Sequence, residues 1–287
     1  MPATVFVLFQ YLLPRHWLTS VIYRIARIRS ERVKDFLITR FVQLYDVDID
    51  EIKLNPPGDF ATFNDFFVRE LTDGAREIDG NAASIISPAD GTISITGALS
   101  ADSLLQAKGI NYSLDELLAT DLEESASYLE GRFATIYLAP YNYHRVHAPF
   151  DGELVAARYV PGDLFSVNDA TASKIVGLFR RNERLIMHFR TAHGPAVLIF
   201  VGALNVGSIS TPWSGEIRPR KAGMVDAIDI STHDTKVRKG DLLGWFNMGS
   251  TVILLFPDGA CEWDDNIVAG GAVRMGQSIG NFSVAAE

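Results

Sequence analysis

The dipeptide Gly249-Ser250 holds the most unusual reactive potential in the chain. It sits in Met248-Gly249-Ser250-Thr251, directly ahead of the apolar run Val252–Phe256. Glycine places no side chain beside its carbonyl and tolerates strained backbone. A base that deprotonates the serine hydroxyl lets its oxygen attack that carbonyl and convert the peptide into an ester. Loss of the serine α-proton then splits the ester by elimination, and the dehydroalanine left behind hydrolyses to a pyruvoyl group and ammonia. Taken alone, a Gly-Ser pair entering a strand is far more often an ordinary turn.

A base has to come from elsewhere. Of six histidines, only His144 and His147 are close together, in Tyr141-Asn-Tyr-His-Arg-Val-His. Their spacing would put both on one side of a helical turn, where they could ligate a metal. Neither a cysteine pair nor a His-Glu-x-x-His pattern accompanies them, so no metal site is expected. Gly276-Gln-Ser278-Ile-Gly280 matches the nucleophile elbow in letters only, because neither histidine nor aspartate follows Ser278. It reads as a turn.

Two kinds of element must position these groups. Residues 1–45 carry seven basic side chains against Glu31 and Asp35, a net of +5, which leaves −14 of the overall −9 for the remainder. The apolar stretch Ala3–Leu13, stopped by Pro14, is too short to span a bilayer and lacks signal-peptide flanks. Trp17, Leu18, Val21, Ile22 and Ile25 recur at helical spacing, as do Val33, Leu37, Phe41 and Leu44. Arginine-rich amphipathic helices suit either a membrane interface or the surface of a folded body. Asn55-Pro56-Pro57-Gly58 breaks this region, and a short aromatic helix is expected through Phe63, Phe66 and Phe67. From about Ile85 onward the texture is β: Phe133–Leu138, Gly152–Tyr159, Arg184–Phe189, Ala196–Val201 and Thr251–Phe256, with a helical interruption near 113–124.

The fold class is therefore α+β, a mainly β body behind N-terminal amphipathic helices. Residues 1–75 are expected to form the helical region, membrane-associating or packed on the body, and 76–287 the β-rich domain. Three turns of the form Pro-x-(Asp/Ser)-Gly, at Pro88, Pro149 and Pro212, resemble those of barrel-sandwich hybrids and support a closed β architecture. The single cysteine, Cys261, excludes an intrachain disulfide. The acidic balance argues against a nucleic-acid partner.

Ordered blocks along nearly the whole chain resemble the bacterial membrane-associated phosphatidylserine decarboxylases. They include Thr62-Phe-Asn-Asp-Phe-Phe-Val-Arg69, Pro88-Ala-Asp-Gly91, Gln106-Ala-Lys-Gly109, Tyr143-His-Arg-Val-His147 and Pro161-Gly-Asp-Leu-Phe-Ser-Val-Asn168. Others are Trp17-Leu-Thr, Asn111-Tyr-Ser-Leu114, Arg181-Asn-Glu-Arg184, Val201-Gly-Ala203, Val206-Gly-Ser208 and Gly249-Ser-Thr251. Met248 stands where that family usually has leucine, a volume-conserving exchange.

The resemblance implies a proenzyme that cuts itself between Gly249 and Ser250. His147 would be the base on the Ser250 hydroxyl, and Asp90 would orient and charge-stabilise the imidazole. The products would be a β chain (1–249) and an α chain (250–287) capped by a pyruvoyl group from Ser250, with no metal or diffusible cofactor. That group would form a Schiff base with phosphatidylserine and release phosphatidylethanolamine, with His144 delivering the proton. Tyr143, Phe165, Ser166 and Asn168 are expected near the headgroup. The resemblance also implies a homodimer, peripheral on the cytoplasmic face of the inner membrane. A Ser-His-Asp lipid hydrolase and a non-catalytic lipid-surface module are the competing readings.

Overall fold

The computed structural model describes residues 3–99, 103–107, 110–120, 125–205 and 207–283. Parts of two sequence blocks, Lys108-Gly109 and Val206, lie outside these residues. So does 121–124 of the expected helical interruption, whose described helix is α5 (Leu114–Leu118).

The front of the chain is helical: α1 (Ala3–Leu12), α2 (Arg15–Ala26), α3 (Glu31–Tyr45) and α4 (Phe63–Phe67). Pro14 separates the first two. No helix among the described residues is long and apolar enough to cross a membrane. The apolar stripes do not all face inward. On α2 only Thr19 and Ala26 are buried, while Trp17 is 66% exposed; on α3 Lys34 and Ile38 are buried, while Leu44 is 75% exposed. The expected α3 stripe is therefore split, with Leu37 and Phe41 packed inward and Val33 and Leu44 outward.

Polar contacts seat α1 and α2 on the body. Gln10, the residue that interrupts the first apolar stretch, is fully buried; it donates to Thr171 Oγ1 (3.0 Å) and accepts from the Ser166 backbone (2.8 Å). Arg15 pairs with Asp163 at 2.8 Å, and Arg27 with Glu216 at 2.6 Å.

The body is mainly β. Its widest sheet has nine strands, in the order β12 (Asp226–Ala227), β7 (Gly152–Val160), β8 (Arg184–Thr191), β9 (Gly194–Val201), β15 (Ser250–Phe256), β5 (Arg132–Leu138), β2 (Gly91–Ala98) and β17 (Ala272–Val273). The ninth, β13 (Lys236–Val237), pairs with β7. A four-stranded sheet runs β11 (Gly215–Ile217), β10 (Ile209–Thr211), β14 (Leu242–Phe246), β6 (Arg145–His147). A three-stranded sheet runs β1 (Ser84–Ile86), β18 (Ser278–Phe282), β16 (Cys261–Trp263), and β3 (Ser103–Ala107) pairs with β4 (Ile110–Ser113).

No closed barrel forms among the described residues, and the likeness to barrel-sandwich hybrids is not established. The three Pro-x-(Asp/Ser)-Gly turns do each feed a strand, but β2 and β7 belong to the nine-stranded sheet and β11 to the four-stranded one. The recurrence reflects turn chemistry, with proline and glycine fixing the bend.

Strand β15 is the middle of this construction. All seven of its residues are buried, and it is paired antiparallel on both sides, to β5 and to β9. A continuous apolar run bounded by turn residues suits a strand with no solvent face. A second apolar cluster lies where α3 meets α4: Ile38, Phe60, Phe63, Phe66 and Phe67, with Met248 packed against it.

Candidate active site

Ser250 opens β15 opposite Leu138 of β5, and its side chain is completely buried. Its Oγ has no hydrogen-bond partner among the described residues. Leaving a hydroxyl buried and unsatisfied costs about 1–3 kcal/mol, so such a group calls for an explanation. The backbone before it is strained. Met248 has φ +110°, a region an L side chain rarely occupies and which costs on the order of 1–3 kcal/mol. Gly249 has no such conformation, and a Cβ built on it would meet nothing within 4 Å. Packing therefore does not demand glycine here, and the absent Cβ leaves the approach to its carbonyl unhindered.

The histidines lie on the segment that leaves β5 and enters β6. They are not on a helical turn: His147 is the last residue of β6, and His144 precedes that strand. Sheet pairing brings this segment to the strained peptide, because β6 pairs with β14 and the Phe246 backbone donates to the His144 carbonyl (3.1 Å), four residues before Ser250.

His147 donates Nδ1–H to the Gly240 carbonyl (2.7 Å), which leaves Nε2 as the acceptor facing the Tyr143 hydroxyl at 3.1 Å. Burial pulls its proton affinity below the ordinary histidine value, opposed by the Gly240 contact, so the imidazole is neutral and able to accept a proton. His144 donates Nδ1–H to the Asn142 carbonyl (2.8 Å), and its buried Nε2 has no partner among the described residues. Burial, reinforced by the nearby Arg69 cation, lowers its pKa to about 3. Burial likewise pushes the Tyr143 phenol up to about 12.

Asp90 is placed differently from the expected triad. Its carboxylate takes a two-pronged contact from Arg76 (2.9 and 2.5 Å) and the Met275 backbone N–H (2.9 Å). The described contacts include no hydrogen bond from Asp90 to His147, nor from His147 to Ser250. The link is indirect: the His147 backbone donates to the carbonyl of Pro88, in the same turn as Asp90 (2.8 Å), and the Asp90 charge raises the imidazole's proton affinity from a distance. A hydrolase triad in direct contact is thus not what these residues form. Ser278, the other serine weighed above, opens β18 and donates to Asp264 (2.9 Å).

Phe165, Ser166 and Asn168 belong to the loop under α1. Phe165 packs edge-on against Tyr11 and under Arg15, Ser166 receives Gln10, and Asn168 caps the turn at Thr171 (3.0 Å). None of their described contacts reaches His144, His147 or Ser250. Phe63, Phe66 and Phe67 are buried core, with the Phe67 ring 4.1 Å from that of His144.

Four residues that contact the site segments escaped the sequence reading. Arg69 donates to the Tyr141 carbonyl (2.9 Å), holding the turn that carries the histidines. Asn64 donates to Asn247 Oδ1 (3.0 Å). Arg76 holds Asp90, and Asn247 immediately precedes the strained residue. Asn64 and Arg69 were visible as members of the Thr62–Arg69 block, whereas Arg76 and Asn247 carried no signal of spacing.

Comparison with known proteins now gives this arrangement a class and then a family. The sequence falls among decarboxylases, for the model of the family described as Phosphatidylserine decarboxylase matches residues 63–281 and a second, described as PSD, matches residues 5–46. A protein of Saccharophagus degradans is 42% identical over 281 residues, covering 98% of both chains. One of Psychrobacter arcticus is 44% identical over 281 residues, covering 98% of this chain and 99% of its own. Both are named phosphatidylserine decarboxylase proenzyme. The chain belongs to the phosphatidylserine decarboxylase family.

Proposed function

We propose that the chain severs its Gly249–Ser250 bond, converts Ser250 into a pyruvoyl group, and decarboxylates phosphatidylserine to phosphatidylethanolamine. The observation that carries this reading is the buried, unpartnered Ser250 hydroxyl following an unhindered glycine and a strained Met248. The names of the relatives, which specify both the substrate and a proenzyme, support it.

Scission needs a base, and neutral His147 is the proposed one. It takes the hydroxyl proton as Ser250 Oγ adds to the Gly249 carbonyl, the C–N bond breaks, and the amine leaves as an ester forms. Removal of the Ser250 α-proton then breaks the ester C–O bond, giving a carboxylate at Gly249. Water replaces the resulting enamine nitrogen as ammonia. Asp90 favours the transient imidazolium by its charge and fixes the Pro88 turn through Arg76 and Met275.

The residues fit a pyruvoyl group at position 250, because the strand start is dry and no hydrogen bond has to be surrendered there. When present, that group supplies an electrophilic carbonyl for the substrate amine and an acceptor for the electron pair released with CO2. The surrounding residues exclude water and hold the proton. His144 is the proposed donor to the substrate carbon, a role that requires it to gain a proton after scission, since before it burial keeps the ring neutral. His144→Ala is expected to yield cut chains at close to the normal rate while decarboxylation per pyruvoyl group falls about 10²–10⁴-fold, the usual worth of a positioned acid. Unchanged turnover would remove His144 from the reaction.

For the headgroup, Tyr143 is proposed beside His147, and Phe165, Ser166 and Asn168 on the loop that seats α1. The exposed apolar residues Leu12, Trp17 and Leu44, among the N-terminal arginines, support docking on an anionic membrane. A peripheral seat on the cytoplasmic face of the inner membrane and a homodimer, both drawn from the sequence resemblance, complete the proposal.

Denaturing intact-mass measurement of the purified protein tests the central claim. Fragments 1–249 and 250–287, the smaller keto-blocked and reactive towards hydrazine, are expected. Lipid-active material that remains one unmodified chain would refute it.

A further inference from the structure

We propose that Asn247 is a positioning residue for scission, holding the Met248-Gly249 peptide in its strained form, and that α2 supports it through Glu216. The inference rests on the self-cleavage reading above and adds to it the residues that set the geometry.

Strain of the kind seen at Met248 persists only where both sides are fixed. Downstream, the chain is locked by the register of β15: Ser250 against Leu138, and Thr251 against both Tyr137 and Val201. Upstream, Asn247 is fixed by backbone and side chain together. Its N–H donates to the Ser208 carbonyl and its own carbonyl accepts from Gly207, both at 2.9 Å. Its side-chain amide is buried; Nδ2 donates to Ser208 Oγ (2.8 Å) and Ser210 Oγ (3.0 Å), while Oδ1 accepts from Asn64 on α4 (3.0 Å).

The direction of this network is set from α2, by Tyr23 within it and Arg27 at its C-terminal cap. Glu216 Oε1 accepts from Arg27 (2.6 Å) and from Ser208 Oγ, and Oε2 accepts from Tyr23 (2.9 Å). An ionised carboxylate can only accept. The Ser208 hydroxyl must therefore give its hydrogen to Glu216, which leaves its oxygen to receive one from Asn247. That in turn obliges the Asn247 amide to present Nδ2 to the serines and Oδ1 to Asn64. Packing joins the same elements, since a Cβ on Gly207 would lie 2.9 Å from the Tyr23 ring and 3.2 Å from the Asn247 carbonyl oxygen. The N-terminal helix thus reaches the scissile peptide through Tyr23 and Arg27, Glu216, Ser208 and Asn247 in turn.

The test follows cleavage of freshly synthesised full-length chain on denaturing gels, with melting temperatures measured in the uncleavable Ser250→Ala background. Asn247→Ala is expected to slow cleavage at least about 30-fold, because a displacement near 1 Å costs on the order of 10²-fold in a positioned reaction. Glu216→Gln keeps the shape but lets the side chain donate to Ser208, so the network loses its fixed direction; a slowing of about 3–10-fold is expected on the same scale. A fold defect would lower melting temperature and multiply across variants. A shared positioning path predicts instead little change in melting and a double variant no slower than Asn247→Ala alone. Cleavage of Asn247→Ala at an unaltered rate overturns the positioning role, and multiplicative effects overturn the link to α2. Should Asn247→Ala fail to fold, Asn64→Ala decides: cleavage slowed several-fold with unchanged melting supports the role, and unslowed cleavage overturns it. Absence of cleavage in the unsubstituted chain would instead defeat the self-processing reading itself.

Discussion

Replacing Ser250 with alanine is expected to leave a single 287-residue chain at every time of incubation and to abolish decarboxylation, by at least about 10⁴-fold. The size of the effect follows from the residue's double duty. In the proposed mechanism the same oxygen cuts the backbone and the same residue becomes the electron acceptor, so no other group would supply either function. The substitution is also structurally mild. Alanine fits the fully buried start of β15, and it removes a hydroxyl that has no partner there. The uncut variant should therefore melt no lower than a chain that still carries the serine, which separates lost chemistry from lost folding. Ordinary cleavage in this variant, read by denaturing mass measurement, would end the account.

The second large effect belongs to His147. His147→Ala should slow scission about 10²–10⁴-fold, since it deletes the neutral nitrogen that takes the serine proton. The pH dependence of scission in the unsubstituted chain carries a sign. Because burial lowers the His147 pKa below the usual histidine value, the base remains unprotonated through neutrality. The rate should stay level as pH falls to the usual histidine range and decline tenfold per unit only below the lowered value. A decline that begins at or above pH 6.5 would assign the base to another group. Asp90→Asn should also accumulate precursor, but with a lower melting temperature. It removes one of the two carboxylates paired with the buried Arg76 and leaves Glu51 at 2.8 Å, so the loss should fall below the about 3–5 kcal/mol of a buried cation left with no partner.

The order of elements was legible in the sequence because hydrophobic period and turn residues are local signals. Val252–Phe256 announced a buried strand, and Pro14 and the Asn55–Gly58 break bounded the helices. What local pattern cannot encode is partnership across the chain. Asp90 stands in a recognisable turn, yet its nearest cation is Arg76, fourteen residues earlier, and nothing in the spacing forecasts that pair. The histidine spacing suggested a helix because three residues make nearly one helical turn; sheet pairing with β14 drew the segment into β6 instead. Likewise the expected α3 stripe is only half inward: Val33 and Leu44 face out, while Lys34 is buried through its contacts with Asp35 and the Pro57 carbonyl. Periodicity alone cannot reveal those partners.

One consequence of placing Ser250 at the head of the central strand concerns assembly rather than chemistry. The piece that the proposed scission would release supplies β15 and β17 to the widest sheet and β16 and β18 to the three-stranded one. Before the cut, these strands are found by one tethered chain, an intramolecular search independent of dilution. Afterwards the same molecule is a two-piece complex whose reassembly from denaturant is second order, and the smaller piece no longer carries the linkage that delivered it. Maturation by that cut would thus work as a ratchet: loss of the folded state before it is recoverable, and loss after it would become harder to reverse the more dilute the protein.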